Sequence, residues 1–373
     1  MEFNKVLDNC KIYEAGKPIE LVVREYGVDE KDIIKLASNE NPYGTSPKVT
    51  KKIQELAQNM FVYPDDSMYE LKEALANKFD VQSENVIIGA GSDQIIDFVI
   101  KAKCDENSKM LMSKTTFAMY EIYGRQTGCE ILKTEDDEHN LEQFESMYKE
   151  HGADVIFLCL PNNPLGECLD KEAVYEFLGK VDKDTLVVVD GAYQEYATFK
   201  DSKKAINPAD LIEHFPNTIY LGTFSKAYAL GGMRTGYGIA QTSIIKTMYK
   251  LRPPFNITTL SLAAGIEALK DEEFVNKCIA KNFEEMKRYE EYAISKGFSY
   301  IESYTNFITL KFDNKYISSE VAQNLLERGV IVRDLTGYGV NAIRVTIGTQ
   351  NQNTRVFKML DEVLAQLEKV ENL

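Results

Sequence analysis

The sequence predicts an α/β protein: a large domain with a mostly parallel central sheet flanked by helices, plus a smaller α+β domain. Three observations predict it. From about residue 47, helix-like and strand-like segments alternate. Two of the strands, in DVIFLCLP and TLVVVD, are unbroken apolar runs, the pattern of strands covered on both faces. From about residue 271 the alternation gives way to a long charged amphipathic helix and a separate α+β pattern. With 373 residues the chain exceeds one ordinary core. We assign 36–270 to the large domain and 271–373 to the small one. The segment 1–35 precedes the alternation and is expected to pack on the small domain or on a partner subunit.

Taken in order, PKVTKKIQELAQN and SMYELKEALANKF have helical spacing of apolar positions. NVIIG is a short buried strand, and SDQIIDFVIKAK a helix with Ser92 and Asp93 as candidate caps. KMLMS, FAMYEIYGRQTG and CEILKT repeat strand, helix, strand, and IYLGT and GYGIA continue the series. In the last third, residues 271–297 predict a long helix. NFITLKF and AIRVTIG predict strands, SSEVAQNLLERG a helix between them, and a final helix starts near residue 351. There is no internal repeat, low-complexity tract or flexible linker.

Composition narrows the function. The net charge of −15 disfavours a nucleic-acid binder or an anionic-membrane binder. The six cysteines are scattered without a CxxC pair, as in a reduced, cytoplasmic protein. His139, His151 and His214 form no metal-binding pattern and are expected on the surface or in loops, so no metal is predicted. The N-terminus lacks an apolar signal segment and no run reaches the ~18 apolar residues of a membrane span.

Open α/β sheets gather ligands at the carboxyl ends of their strands. NVIIG is followed there by AGSDQ, DVIFLCL by PNNPLGE, and TLVVV by Asp190; IYLGT leads into Ser225 and Lys226. The turn Gly89-Ala90-Gly91 lacks the third glycine of a dinucleotide fingerprint, with Gln94 in its place. It is either a plain helix cap or an anion site at a helix N-terminus. PNNPLG is a turn signal whose Asn163 is able to present its amide to a ligand. Asp190 is either a cap or a buried carboxylate facing a cation. Lys226 is either a snorkelling surface lysine or a nucleophilic amine, with Arg234 supplying positive charge and a phosphate contact. Together these residues suit pyridoxal phosphate. That cofactor needs an amine for its aldehyde, a carboxylate for its ring nitrogen, donors for its phenolic oxygen and a cradle for its phosphate.

Here the sequence resembles the fold-type I pyridoxal-phosphate aminotransferases, and within them the histidinol-phosphate aminotransferase family. The resemblance rests on SNENPYG (38–44), YPDD (63–66), GAGSDQ (89–94), PNNPLGE (161–167), VVVDGAY (187–193), TFSKAYALGGMRTGYG (223–238) and IRVTIGT (343–349), in the family's order. It implies that Lys226 carries the cofactor covalently and shuttles the substrate's proton, and that Asp190 pairs with the ring nitrogen. It implies that Asn163 and Tyr193 donate to the phenolic oxygen. Ser92, Asp93, Ser225 and Arg234 surround the cofactor phosphate, and Phe117 stacks on the ring. Tyr63 reaches the cofactor phosphate of the partner in a homodimer. For the substrates, it implies that Arg344 holds a carboxylate and that Arg333 takes the phosphate of histidinol phosphate or the distal carboxylate of glutamate. Tyr13 and Asn39 lie at the same pocket.

The implied reaction is ping-pong transamination between L-histidinol phosphate and 2-oxoglutarate, giving imidazole acetol phosphate and L-glutamate, in histidine biosynthesis. The alternatives are an aromatic amino-acid aminotransferase and a pyridoxal-phosphate decarboxylase of a phosphorylated amino acid. Three departures stand out. Gly191 replaces a glutamate common in relatives, Phe117 replaces a frequent tyrosine, and the loop DLTGYGVNAI between Arg333 and Arg344 follows one of several variants.

Overall fold

The unbroken apolar runs become the middle strands of a seven-stranded sheet in a computed structural model of the chain. The structure describes residues 5–10, 12, 19–312 and 315–371. In chain order the first strands are β1 (Ile34–Lys35), β2 (Val86–Gly89), β3 (Lys109–Met112), β4 (Glu130–Lys133) and β5 (Val155–Cys159). They are followed by β6 (Leu186–Asp190), β7 (Thr218–Thr223), β8 (Gly236–Ala240), β9 (Ser299–Ile301) and β10 (Phe307–Lys311). The last are β11 (Val330–Ile331), β12 (Arg333–Asp334) and β13 (Ala342–Thr346). The chain forms two compact units. The first holds Gly44–Asn163, Glu167–Asn276 and the short described N-terminal stretch. The second holds Glu14–Tyr43, Pro164–Gly166 and Lys277–Leu373, so far as these are described.

In the first unit the strand order is β2-β8-β7-β6-β5-β3-β4. The pairs from β7 through β6, β5 and β3 to β4 are parallel, whereas β8 runs antiparallel to both β7 and β2. Every residue of β5 and β7 is buried, because helices cover both faces. One core cluster joins Phe157, Val188, Ile219 and Leu221 of the sheet to Ile95, Ile96 and Val99 of the helix Ser92–Lys103. The parallel strands all point one way, so their carboxyl ends share an edge, and Cys159 stands opposite Asp190 there.

The second unit carries the antiparallel sheet β12-β13-β10-β9 and a two-stranded parallel pair, β1 with β11. Its core packs Ile308, Leu310, Ile343 and Val345 of the sheet against Tyr289, Val356 and Leu360 of the long helices. Of the three histidines, His151 and His214 are exposed at the ends of helices. His139 departs from the surface expectation. Its residue is 8% exposed, its Nε2 accepts the Cys159 N–H at 3.3 Å, and its Nδ1 lies 3.1 Å from Glu167 Oε1. It thus braces the end of β5 from within. Among the described residues no helix is long and apolar enough to cross a membrane, and no group of His, Cys, Asp or Glu is placed to hold a metal.

Candidate active site

One cavity opens at the carboxyl edge of the large sheet, and nine sequence-selected residues meet in it: Ser92, Asp93, Phe117, Asn163, Asp190, Tyr193, Ser225, Lys226 and Arg234. A roomier hollow at the amino ends of the strands, beside Lys103, Leu186 and Met248, holds a single carboxylate, Asp184, and none of the residues that the sequence singled out. The chemistry therefore points to the strand-end cavity.

The anion end is built by β2 and its turn. The helix Ser92–Lys103 starts from Gly91 as its cap, with φ +80°, and has no side-chain cap bond. Ser92 and Asp93 are thus the first helical residues and not the caps that their side-chain types suggested. Their leading N–H groups face the cavity end with the positive pole of the helix behind them. Glycine is required twice here. A Cβ on Gly91 would stand 2.9 Å from Arg234 Nη2, and one on Gly236 would stand 2.2 Å from Ser92 N. Arg234 itself has φ +51°, a conformation uncommon outside glycine. Its Nη1 donates to Gly231 O at 2.8 Å and Ser225 Oγ at 3.3 Å. A backbone cradle, a hydroxyl and a guanidinium so placed form an anion site.

The same cavity also holds a carboxylate. Asp190 closes β6 and is 2% exposed. Its Oδ2 accepts from Tyr120 Oη at 2.6 Å and its Oδ1 from Ala192 N at 3.1 Å. Burial pushes its pKa above the ordinary carboxylate value, and these two donors oppose the shift. Such a group calls for a cationic partner in the cavity. Tyr193 follows three residues later, 2% exposed, with Lys226 Nζ 5.7 Å from its ring centroid.

Lys226 differs from expectation in one respect. The sequence places it at a dry strand end, but it stands in the turn three residues past β7 and is half-buried. Its Nζ thus stays partly open toward the cavity, where a substrate has to reach it.

Phe117 caps the helix Ala118–Thr127 and meets Tyr120 edge-on at 5.5 Å. Asn163 reaches the cavity from the turn after β5. Its neighbour Asn162, which the sequence reading passed over, fixes that turn. Asn162 is fully buried, donates to Thr115 O at 2.9 Å and Glu167 Oε1 at 2.7 Å, and accepts from Thr116 Oγ1 at 2.9 Å. It ties the Asn163 turn to the segment leading into Phe117. The sequence signal was the repeated amide in PNNP.

Tyr63 is not in the cavity. It is 78% exposed and stacks on Phe255 at 4.7 Å, within an exposed stretch that includes Phe61 at 87%. Asp66 anchors this loop. Arg252 grips both its oxygens at 2.8 Å and the Phe255 N–H binds it at 2.6 Å, which together hold its pKa down at about 2.

The remaining candidates lie in the second unit. Asn39 is 2% exposed with φ +55°, bonded on both backbone and side chain to Thr346 Oγ1. Arg344 lies on β13, 7% exposed, and donates from Nη2 to Ala37 O at 2.7 Å. Arg333 on β12 is its direct cross-strand neighbour. Two like charges opposite each other on one face disfavour the pair, and an anion shared between them removes that cost. Tyr13 lies outside the described residues.

Residues 31–360 match the family model for aminotransferases of class I and II. The chain is 73% identical over 367 residues, 98% of its length and all of the relative's, to a histidinol-phosphate aminotransferase of Aliarcobacter butzleri. It is 62% identical over 366 residues, with the same coverage, to a histidinol-phosphate aminotransferase of Wolinella succinogenes. Among solved structures, it superposes with a TM-score of 0.89 on the Sinorhizobium meliloti histidinol-phosphate aminotransferase in complex with pyridoxal-5'-phosphate. That match has 23% identity and covers 98% of each chain.

Proposed function

The chain belongs to the class I and II aminotransferases, and from that premise we propose that it carries the amino group of L-histidinol phosphate to 2-oxoglutarate, using pyridoxal phosphate. The products are imidazole acetol phosphate and L-glutamate, in histidine biosynthesis. The substrate reading is supported by the 73% identical relative of the same name. The single observation that carries the chemistry is one cavity with an amine (Lys226), a buried carboxylate (Asp190) and an anion cradle (Gly91–Asp93 with Arg234).

That donor set fits pyridoxal phosphate: the uncapped helix start takes the phosphate, and the buried Asp190 finds its cation in the protonated ring nitrogen. The bound cofactor supplies an electron sink for the carbanion left when a substrate's α-carbon loses its proton. The chain does the rest. Lys226 would hold the cofactor through its Nζ and, as a free amine, would take and return the substrate's α-proton. Asp190 would keep the ring nitrogen charged. Tyr193 and Asn163 would donate to the phenolic oxygen, and Phe117 would cover the ring. Ser92, Asp93, Ser225 and Arg234 would hold the phosphate. Arg344 binds a substrate carboxylate, and Arg333 takes the phosphate of one substrate and the distal carboxylate of the other. Their cross-strand pairing supports a shared anionic ligand. Tyr13 and Asn39 complete this substrate reading.

A half-reaction tests the assignment. With no keto acid present, L-histidinol phosphate is expected to bleach the absorption band of the covalently held cofactor rapidly, and L-phenylalanine slowly. Arg333→Ala is expected to reduce kcat/KM for histidinol phosphate by ~10²-fold, the loss of charge-assisted bonds worth about 1.5–3 kcal/mol each. The opposite substrate order would move the enzyme to aromatic amino acids. No bleaching with either would favour the decarboxylase.

The working form is a homodimer in the cytoplasm. The exposed run Phe61, Val62 and Tyr63, with Tyr63 stacked on Phe255, is the kind of apolar surface that a second copy covers. Six free thiols suit a reducing compartment. Light scattering is expected to give twice the 42.3 kDa chain mass, and a monomer mass would end the idea that Tyr63 serves a partner's site.

A further inference from the structure

We propose that Tyr120 is the positioning residue for the Asp190 carboxylate, holding it ionised and aimed at the ring nitrogen of the cofactor. The inference rests on the pyridoxal-phosphate reading above and names a residue that the sequence did not single out. Tyr120 sits one helical turn beyond Phe117 and is fully buried. Its ring stacks on Phe157 of β5 at 4.3 Å and meets Phe117 edge-on at 5.5 Å. Packed on both sides, the phenol has little rotational freedom, so its hydroxyl is held at the carboxyl ends of β5 and β6. There it donates to Asp190 Oδ2 at 2.6 Å, with the Cys159 thiol also within hydrogen-bonding reach. The length is that of a hydrogen bond to an ionised acceptor.

The surroundings make this bond consequential. The titratable groups around Asp190 are Tyr120, Cys159 at the opposite register position on β5, Tyr220 on β7 and Asp93 on the phosphate helix, with Tyr193, Lys226 and Arg234 lining the same cavity. Burial and the negative charge of Asp93 favour the protonated carboxyl, whereas the Tyr120 hydroxyl and the Ala192 N–H favour the carboxylate. Burial also keeps the Tyr120 phenol protonated far above its usual range, so it remains a donor. A carboxyl that has taken up a proton no longer compensates a ring cation. Tyr120 thereby acts on the reaction through Asp190 without touching a reacting atom.

Tyr120→Phe removes the hydroxyl and keeps the ring. Because burial raises the pKa of folded Asp190 above its unfolded value, the folded protein binds the extra proton, and stability falls as pH rises through that window. Losing the hydroxyl raises that pKa further. The stability deficit of cofactor-free Tyr120→Phe is therefore expected to grow with pH and level off above the folded pKa. In an Asp190→Asn background this pH-dependent part is expected to vanish. In the loaded enzyme, kcat falls by roughly tenfold or more while KM stays unchanged. Should the Phe variant not fold, 3-fluorotyrosine at position 120 alone, a stronger donor, is expected to shift the pH profile in the opposite direction. A pH-independent deficit, or an equal deficit in the Asp190→Asn background, overturns the proposal. A protein that shows the coupling yet fails to take up pyridoxal phosphate overturns the cofactor reading and leaves the Tyr120–Asp190 link standing.

Discussion

Replacing Lys226 with alanine is expected to lower turnover by at least about 10⁴-fold, because one side chain is assigned both the covalent and the acid–base role. The phosphate cradle of Gly91, Ser92, Ser225 and Arg234 is untouched by the change. Pyridoxal phosphate should therefore still bind, but without a covalent link. Borohydride treatment followed by peptide mass analysis is the measurement. The wild type is expected to show a reduced adduct on the Lys226 peptide and the variant none, with similar cofactor occupancy before denaturation. Turnover near the wild-type rate in the variant would remove Lys226 from the mechanism.

Asp190→Asn is the second large effect. The amide keeps the side chain's shape but does not hold a ring cation. Breaking a buried ion pair from one side costs about 3–5 kcal/mol, so kcat is expected to fall by ~10²–10⁴-fold. The cofactor-free protein should respond oppositely. Burial disfavours the Asp190 charge, so at neutral pH the neutral variant is expected to unfold at the same or a higher temperature. Steady-state kinetics beside thermal unfolding across pH decides it. A parallel loss of activity and stability would mean that Asp190 is a structural anchor and not a charge kept for catalysis.

Much of this was legible in the chain. The runs in VIFLC and LVVVD read as two-face-buried strands because short unbroken apolar runs of four or five residues between turn signals suit a strand covered on both faces. The helices at Pro47, Ser92, Ala118 and Ser318 followed from 3.6-residue spacing. Other elements carried a local signal that the reading did not use. Asn207 caps a helix whose first residue is Pro208, and Asn140 caps Leu141–His151. The two-residue strands β1 and β11 offered none, since two residues carry no period and their pairing joins Ile34 to Val330.

By itself the sequence determined which residues were chemically suited to a pyridoxal-phosphate site: an amine, a carboxylate, an asparagine, a Gly-Ser helix start and a late arginine, each close to a strand end or turn that local pattern marks. Only the tertiary structure decided how they are used. It turned β8 antiparallel between β2 and β7, which brings Gly236 against Ser92. It left Lys226 half-buried, sent His139 inward, and set Arg333 across from Arg344. It placed the Tyr120 hydroxyl on Asp190, 70 residues away. The physical reason is that periodicity and capping act within a few residues, whereas strand order, register and burial are settled by packing between segments far apart in the chain.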